Sequence, residues 1–234
     1  MYDHKLFLSV LSEFAEVLLA PYEVELVLDE LADRISAVLD LAGSGVSLAR
    51  DDRLEFHTAF GSAVAAVERA QEQTQTGPCV TAFRTGEVVS VNELAAAERA
   101  QWPHYCAMAA AVGISAVASL PMRLGGQTVG VLDLYAPARR DWHEDDLAAA
   151  DVMANMATVF LIHASQHRKQ AELNAQLQTA LDSRTTIEQA KGLLAAAHHI
   201  SIDEAFERIR SFARSHHETV RDVADRIVHR GFSP

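Results

Sequence analysis

The stretch that decides the fold of the C-terminal part is Arg184-Thr-Thr-Ile-Glu-Gln-Ala-Lys-Gly-Leu-Leu-Ala-Ala-Ala197. Its apolar residues recur at spacings of three and four, which predicts a helix with one buried stripe, formed by Ile187, Ala190, Leu194 and Ala197. Arg184 and Lys191 fall together on the flank of that stripe. Gly192 interrupts the pattern at a cost of about 1 kcal/mol relative to Ala, so we expect it to permit close approach of another backbone.

Two more helices are predicted after this stretch. Ser201-Ile-Asp-Glu204 has the pattern of a capping box, and an apolar face follows it, formed by Ile202, Ala205, Phe206, Ile209, Phe212 and Ala213. Thr219 and Asp222 mark a further helix start, and Gly231 supplies a C-terminal stop. The C-terminal part is therefore predicted to be an all-α unit of three helices, in which Ala190, Gly192 and Ala205 act through packing.

Four motifs of this unit together resemble an ANTAR domain: Ile187-Glu-Gln-Ala-Lys-Gly192, Ser201 to Phe206, Ile209-Arg210 and Asp222-Val-Ala224. The resemblance implies an RNA-binding module of bacterial transcription antitermination regulators. Such modules hold paired stem-loops in nascent RNA and thereby prevent formation of a terminator. Because two nearby loops need two copies of the module or one extended surface, a homodimer is expected.

Cationic side chains of this unit are the candidates for RNA contact, namely Arg184, Lys191, Arg210 and Arg214. Arginine pairs with phosphates and stacks on unpaired bases, which is how RNA loops are usually recognised. The alternative interpretation is that Glu188 and Glu207 neutralise these flanks in ordinary surface salt bridges, each worth at most about 1 kcal/mol. The ANTAR resemblance favours RNA contact.

Charge is distributed unevenly along the 234 residues, whose formal net charge is −12. Residues 1–164 contain 10 Lys and Arg against 23 Asp and Glu, whereas residues 165–234 contain 10 against 9, with six histidines. An acidic globular part joined to an arginine-rich tail suits a sensor with an output that binds a polyanion. The length is ample for two domains.

Export and membrane insertion are not expected. The apolar N-terminus is interrupted by Asp3, Glu13 and Glu16, unlike a signal peptide, and no apolar run approaches the ~20 residues of a membrane span. Two cysteines do not make a disulfide framework in a chain of this length. A soluble, cytoplasmic protein without a membrane partner is therefore predicted.

The first 165 residues alternate between helical and strand-like patterns. Two helices broken at Pro21 precede a hairpin whose turn is at Arg50–Arg53; a helix at 63–73 and a short helix from Pro78 follow. Gly43-Ser-Gly45 is interpreted as a break between a helix and a strand, and Pro121 as the end of a strand. Residues 92–108 are interpreted as an irregular or helical excursion. A turn at Gly125-Gly126, another strand and a helix from about Asp145 complete an α+β domain, with an antiparallel sheet and flanking helices.

The motifs of this region resemble a GAF domain of the actinobacterial type. They are Gly77-Pro-Cys79, Arg84-Thr-Gly86, Trp102-Pro103, Gly113-Ile-Ser115, Gly125-Gly126 and Gly130-Val-Leu132. The predicted organisation is a GAF sensor domain with N-terminal helices over 1–164, a helical connector over 165–182, and an ANTAR domain over 183–234. An unknown small-molecule ligand of the sensor and a partner signalling protein are possible inputs.

The connector carries a heptad pattern, because residues 153–181 contain no Pro or Gly and apolar residues recur at its two ends. Leu173 and Leu177 are the predicted centre of a coiled-coil seam between two chains. The alternative interpretation is a single solvated helix.

The sequence leaves two alternatives to an RNA-binding regulator open. Cys79 and Cys106 suggest a thiol-dependent reductase, because a GAF relative reduces free methionine sulfoxide with cysteines, although with a fuller set than two. A DNA-binding helical regulator is the second. The histidines do not indicate a metal site, because the adjacent pairs His198-His199 and His216-His217 point apart on a helix. No enzyme activity, cofactor or metal is therefore expected.

Overall fold

The computed structural model of the protein describes residues 2–94 and 101–234. The chain divides into two compact units, Met1–Ser165 and Gln166–Pro234. The first unit contains α1 (His4–Val17), α2 (Val24–Leu39), β1 (Gly43–Arg50), β2 (Arg53–Phe60), α3 (Ser62–Thr74), α4 (Pro78–Thr85), β3 (Val89–Val91), α5 (Pro103–Ala111), β4 (Ala116–Leu124) and β5 (Gln127–Ala136). Helix α6 (Glu144–His198) begins in the first unit, and α7 (Ile202–Ser215) and α8 (Val220–Arg230) complete the second.

The five strands form one sheet in the order β2-β1-β5-β4-β3, with every neighbouring pair antiparallel. The predicted α+β class with flanking helices is therefore confirmed. In the central strand β5, Asp133 lies between Gly45 of β1 and Ser119 of β4. Because successive side chains alternate between the faces of a sheet, these three residues share one face with Tyr135.

The two faces of the sheet are covered by different helices. On one face α1, α2 and α6 enclose the larger apolar core, whose largest buried members are Leu28, Leu31, Ile35, Leu39, Leu120, Met122, Leu132, Leu134, Met153 and Phe160. The opposite face is covered by α3, α4 and α5, with smaller apolar groups around Val67, Val117 and Val131. This second face carries the buried polar residues described below.

Two details of the strands differ from the sequence-based prediction. Gly43-Ser-Gly45 is part of β1 rather than a break, because Gly43 and Gly45 pair with Tyr135 and Asp133 of β5. Strand β4 also continues through Pro121, which is in register with Val131. β3 pairs with β4 at residues 117–119, so Pro121 lies past its end, on an edge where a missing N–H is tolerated.

The predicted turns are confirmed in the hairpins. Asp51, with φ of 45°, lies in the turn between β1 and β2, and Gly125-Gly126, with φ of 58° and 84°, joins β4 to β5. Of the excursion predicted at residues 92–108, residues 95–100 lie outside the described part of the chain. From Pro103 the excursion is helical, as α5.

Helix α6 is long and apolar enough, by length and composition alone, to satisfy the criterion for a membrane-spanning helix. Part of this apolar character belongs to the core of the first unit, because Ala150, Met153, Ala157 and Phe160 of α6 are fully buried there. The helix therefore contributes an apolar face to the sheet.

The second unit is built by the C-terminal part of α6 together with α7 and α8. Its core consists of Ala190, Leu194, Ala205, Ile209, Ala213, Val223, Ala224 and Ile227. The turn after α6 passes through His199 in the left-handed conformation, with φ of 52°. Thr219 caps α8 through the N–H of Asp222, and Gly231 ends it at φ of 63°, as predicted.

The predicted capping box is present at the start of α7. Ser201 Oγ accepts a hydrogen bond from the N–H of Glu204 at 3.2 Å, and the Glu204 carboxylate accepts one from the N–H of Ser201 at 2.8 Å. The backbone and hydroxyl donors of Ser201 lower the pKa of Glu204. The stabilisation from this carboxylate is therefore present above the usual glutamate pKa and lost as the pH falls through the lowered value.

Replacing Ser201 by Ala is expected to destabilise the second unit by about 1 kcal/mol, because the N–H of Glu204 loses its acceptor. Chemical denaturation followed by circular dichroism measures this change. Ser211→Ala, at an exposed position within α7, is the matched control and should change stability by less than about 0.5 kcal/mol. Equal stability of the Ser201 and Ser211 variants would show that the cap contributes nothing.

Candidate functional site

A cluster of buried polar side chains lies on the sheet face covered by α3, α4 and α5. We call it the acid–thiol cluster, and it comprises Ser47, Glu68, Gln71, Cys79, Tyr105, Ser119, Asp133 and Tyr135. Each of these residues is at most 4% exposed. Carboxylates buried so deeply are rare unless they are paired, hydrogen-bonded or bound to a cation, so the cluster is a candidate functional site.

A continuous hydrogen-bond chain links the helices to the sheet in this cluster. Tyr135 donates to Oε1 of Glu68 at 2.9 Å, and Ser47 donates to Oε2 at 3.3 Å. Gln71 donates to the Tyr135 hydroxyl at 3.2 Å and accepts from the N–H of Cys79 at 3.1 Å. The chain fixes the carboxylate of α3 and the N-terminal end of α4 against the central strand.

Asp133 lies beside this chain, close to the Glu68 carboxyl and the Cys79 thiol. Ser119, opposite it on β4, donates a short hydrogen bond to Oδ1. Oδ2 of Asp133 and the hydroxyl of Tyr105 have no hydrogen-bond partner of normal geometry among the described residues. Two polar atoms at this site therefore retain bonding capacity that the surrounding side chains do not use.

Room for the Glu68 carboxylate comes from Gly45 on the neighbouring strand. A Cβ atom at this position would collide with Oε1 and the side-chain carbons of Glu68. Glycine at this position allows the Glu68 side chain to approach the sheet closely. A glycine within a strand also lowers the stability of that strand, because its backbone loses more entropy on folding. Any larger residue here would displace the carboxylate from Tyr135.

Burial dominates the electrostatics of the cluster. It raises the pKa of Asp133 to about 6 and raises the pKa of Glu68 well above the usual value, with the Asp133 charge adding to the latter. Burial, followed by the nearby Asp133 and Glu68 charges, also raises the pKa of the Cys79 thiol. The thiol is therefore protonated at neutral pH in the absence of a cation, unlike the activated thiol that a reductase needs.

The cluster was not predicted from the sequence, apart from the attention given to Cys79. Two signals point to it. Asp133 is the one charged residue in the apolar run Val129–Tyr135, and Glu68 belongs to the same helix face as Val64 and Val67. A charge on the buried face of an element indicates a site more strongly than a charge between elements.

The predicted RNA-contacting residues lie in the second unit. Arg184 of α6 and Arg210 and Arg214 of α7 are exposed. Arg210 and Arg214 are one turn apart and share a face of α7. Arg210 lies 3.4 Å from Glu207 in a pair whose side chains are 52% and 67% exposed, so the pair constrains the guanidinium weakly.

Lys191 is held differently from the three arginines. Its side chain is 15% exposed, its Nζ contacts both carboxylate oxygens of Glu188 at 2.9 Å, and it lies 5.5 Å from the ring centroid of Phe206. A lysine fixed by an acid and an aromatic ring is less available to a phosphate than a free one. Phe206 is half-buried beside Lys191 and presents an aromatic surface, whereas its spacing in the sequence had predicted packing alone.

The three residues predicted to act through packing do not behave alike. Ala190 and Ala205 are fully buried in the core of the second unit. Gly192 is exposed, and a Cβ atom built on it would meet no atom within 4 Å. The packing role predicted for Gly192 within the chain is therefore wrong. At this residue the surface of α6 faces open space and does not contact α7 or α8.

Gly192→Ala is expected to stabilise the second unit by up to about 1 kcal/mol, because alanine fits the open space and restricts the unfolded chain. Thermal and denaturant unfolding of the full chain measure this change. Gly192→Leu distinguishes open space from a hidden contact, since it should also be tolerated. Destabilisation by both substitutions would contradict the exposure of this position.

The proposed seam residues are also exposed within the chain. Leu173 is 49% exposed and Leu177 is 55% exposed. Nearer the sheet, Val152 and Val159 of α6 are exposed to a similar extent, whereas His163 of the same helix interacts with the Tyr22 hydroxyl at 3.0 Å. The leucines thus remain available for contact with a second chain, and pairing of two chains stays a prediction.

The sheet order and the helices on both faces define an α+β domain. The family model of the GAF domain matches residues 23–161, more than half of the chain, and the protein belongs to the GAF domain family. The family model of the ANTAR domain matches residues 175–228. None of the curated proteins matches the chain.

Solved structures with similar folds are GAF domains. One is the GAF domain of a phosphoenolpyruvate-protein phosphotransferase from Acinetobacter, with 12% identity and a TM-score of 0.54 over 71% of this chain and 97% of that one. Another is the free methionine-R-sulfoxide reductase from Neisseria meningitidis in complex with its substrate, with 17% identity and a TM-score of 0.55 over 71% and 96%. At such identities the similarity establishes the fold alone.

Proposed function

We propose that the protein is a signal-responsive transcription antitermination regulator of the actinobacterial type, whose ANTAR domain binds paired stem-loops in nascent RNA. The observation that carries the proposal is the ANTAR match over residues 175–228, together with the GAF match that precedes it. This domain combination is typical of signal-regulated proteins. The GAF domain is the input and the ANTAR domain the output.

The surface of the second unit supports contact with a nucleic acid. Arg184, Arg210 and Arg214 expose guanidinium groups, which pair with phosphates in bidentate geometry and stack on splayed bases. The half-buried ring of Phe206, beside Lys191, adds a surface on which an unpaired base can stack. Exposed guanidinium groups and an aromatic ring in the same unit favour RNA loops over the regular phosphate track of duplex DNA.

Control by dimerisation follows from the form of the proposed target. Two adjacent stem-loops are held best by two ANTAR domains, and linking two weak sites increases apparent affinity by about 10² to 10⁴. The exposed Leu173 and Leu177 on α6 supply a seam for a homodimer. A small-molecule ligand or a partner protein that binds the GAF domain would regulate RNA binding through its differential affinity for the two states.

The thiol-reductase alternative has weaker support. Cys79 and Cys106 are both buried, and burial and two nearby acids raise the pKa of the Cys79 thiol. A nucleophilic cysteine needs a lowered pKa and access to its substrate. The likeness to a methionine sulfoxide reductase, at 17% identity, concerns the fold of that protein.

Binding to matched nucleic acids tests the proposal. Fluorescence anisotropy would compare the full chain with a pool of RNAs that carry two adjacent stem-loops with randomised loops, with single stem-loop RNAs, and with duplex DNA of equal length. Preference for the two-loop RNA by at least tenfold is the expected result. Equal affinity for duplex DNA would instead favour a DNA-binding regulator, and RNA recovered by crosslinking in cells would then identify the target.

A further inference from the structure

We propose that Glu68, Cys79 and Asp133 form a binding site for one divalent transition-metal ion of the Zn²⁺ or Fe²⁺ type. Among the described residues, these three bring their carboxylate and thiol ligand atoms within 4.8 Å of one another. Each is buried, and each comes from a different element: α3, α4 and β5. The proposal concerns the GAF domain and goes beyond the proposed RNA binding.

The distances suit coordination after a small rotation of the carboxylates. In a tetrahedral site, metal–oxygen bonds of about 2.0–2.2 Å and metal–sulfur bonds of about 2.3 Å separate the ligand atoms by roughly 3.3–3.7 Å. Ligand atoms within 4.8 Å of one another can therefore converge on one ion without movement of the sheet.

The donor set selects the class of metal. A thiolate disfavours Mg²⁺ and Ca²⁺, which prefer oxygen ligands, whereas two carboxylates disfavour Cu⁺, which prefers sulfur. A mixed set of one sulfur and two oxygens suits a borderline dication. The sequence-based expectation of no metal concerned histidine spacing, and none of the three ligands proposed here is a histidine.

Hydrogen bonds from neighbouring side chains already orient the proposed ligands. Ser47 and Tyr135 donate to the two oxygens of Glu68, and Ser119 donates to Oδ1 of Asp133. Gln71 accepts from the backbone N–H of Cys79. Such partners fix ligating carboxylates in metal sites, and their loss typically weakens metal affinity by 10- to 100-fold.

An independent observation points to a further ligand at this place. Among the described residues, the buried Tyr105 hydroxyl has no hydrogen-bond partner, although it lies within electrostatic range of Asp133, Glu68 and Cys79. Within the same part of the chain, Oδ2 of Asp133 lacks a partner of normal geometry. A metal ion would bind Oδ2, and a water molecule in its fourth coordination position would donate a hydrogen bond to the Tyr105 hydroxyl oxygen.

A cation also resolves the unfavourable electrostatics of the cluster. Two carboxyl groups and a thiol lie together in one buried site. Without a cation, each of these groups must hold a proton or share one with a neighbour. A bound dication favours the deprotonated form of all three and releases their protons. The competing explanation is a proton shared between Glu68 and Asp133 with no metal.

Cobalt is the probe that separates the two explanations. The full chain, dialysed against a chelator and kept reduced with a phosphine, would be titrated with Co²⁺ at neutral pH. A thiolate-to-cobalt charge-transfer band that saturates at one ion per chain is expected. Cys79→Ser should abolish the band, and Tyr135→Phe should weaken Co²⁺ affinity by 10- to 100-fold. Cys106→Ser, which removes the other buried thiol, should retain it.

X-ray absorption of the wild-type protein loaded with Zn²⁺ provides a measurement that needs no variant. One sulfur at about 2.3 Å and oxygens at about 2.0–2.2 Å are expected. Absence of a charge-transfer band in the folded wild type at millimolar Co²⁺ would overturn the proposal in favour of a shared proton. A band that persists in Cys79→Ser, or that is lost in Cys106→Ser alone, would overturn the assigned ligands.

Discussion

Replacing Arg210 and Arg214 together by Ala is expected to weaken binding to a two-loop RNA by roughly 30- to 25,000-fold at low salt. Each arginine that contacts a phosphate or a base contributes about 1–3 kcal/mol, and two contacts lie one helical turn apart on α7. Both side chains are exposed, and the ion pair of Arg210 with Glu207 is a surface pair, so the fold should persist.

The salt dependence of the same variant tests the type of contact. Each lost phosphate contact should reduce the slope of log affinity against log salt by about 0.7–0.9, so the deficit should shrink as salt rises. Arg208→Ala with Arg221→Ala removes the same charge from other exposed positions of α7 and α8 and serves as the control. An unchanged affinity at low salt in the Arg210 and Arg214 variant would move the RNA site elsewhere.

The sequence correctly predicted the elements that are determined by interactions between neighbouring residues in the chain. Helix α7 was predicted from its capping box and apolar stripe, and the β4–β5 hairpin from Gly125-Gly126, because caps and turns are determined by a few adjacent residues. Gly43-Ser-Gly45 and Pro121 were misjudged as breaks, because their strand conformation depends on pairing with β5, which is distant in sequence. Tertiary pairing overrides local propensity at such positions.

The acid–thiol cluster shows where sequence reasoning alone fails. Glu68, Cys79 and Asp133 are separated by up to 65 residues and meet only because the register places Asp133 beneath α3 and α4. No short motif links them, since each comes from a different element. In contrast, Arg210 and Arg214 are adjacent on one helix, so their shared face is readable from spacing alone.

Gly192 illustrates a third kind of outcome. The sequence predicted that Gly192 lies within a helix, but it did not predict whether the residue is buried. The spacing of apolar residues identifies the buried stripe, but it does not show what a residue beside that stripe contacts. The residue lies on the exposed side, beside the cation Lys191. If Gly192→Ala stabilises the unit but weakens RNA binding, the bare backbone serves approach of RNA rather than packing.

Replacing Leu173 and Leu177 by Lys is expected to convert a homodimer into a monomer at all accessible concentrations. Burying a leucine contributes about 1.5–3 kcal/mol, and four leucines meet in a two-chain seam, so roughly 6–12 kcal/mol is lost. This matches the whole free energy of a micromolar to nanomolar dimer. Four lysines would also repel one another. Sedimentation equilibrium of the full chain measures the change.

The opposite side of the same helix provides the matched control. Ala171→Lys with Ala175→Lys adds the same charge to α6 at exposed positions turned away from the seam, and this variant should remain dimeric. Because two linked sites increase affinity by about 10² to 10⁴, the Leu173 and Leu177 variant should lose that factor on a two-loop RNA while binding a single stem-loop normally. A wild-type protein that sediments as a monomer throughout would exclude the seam, and RNA recognition would then require one extended surface on a single chain.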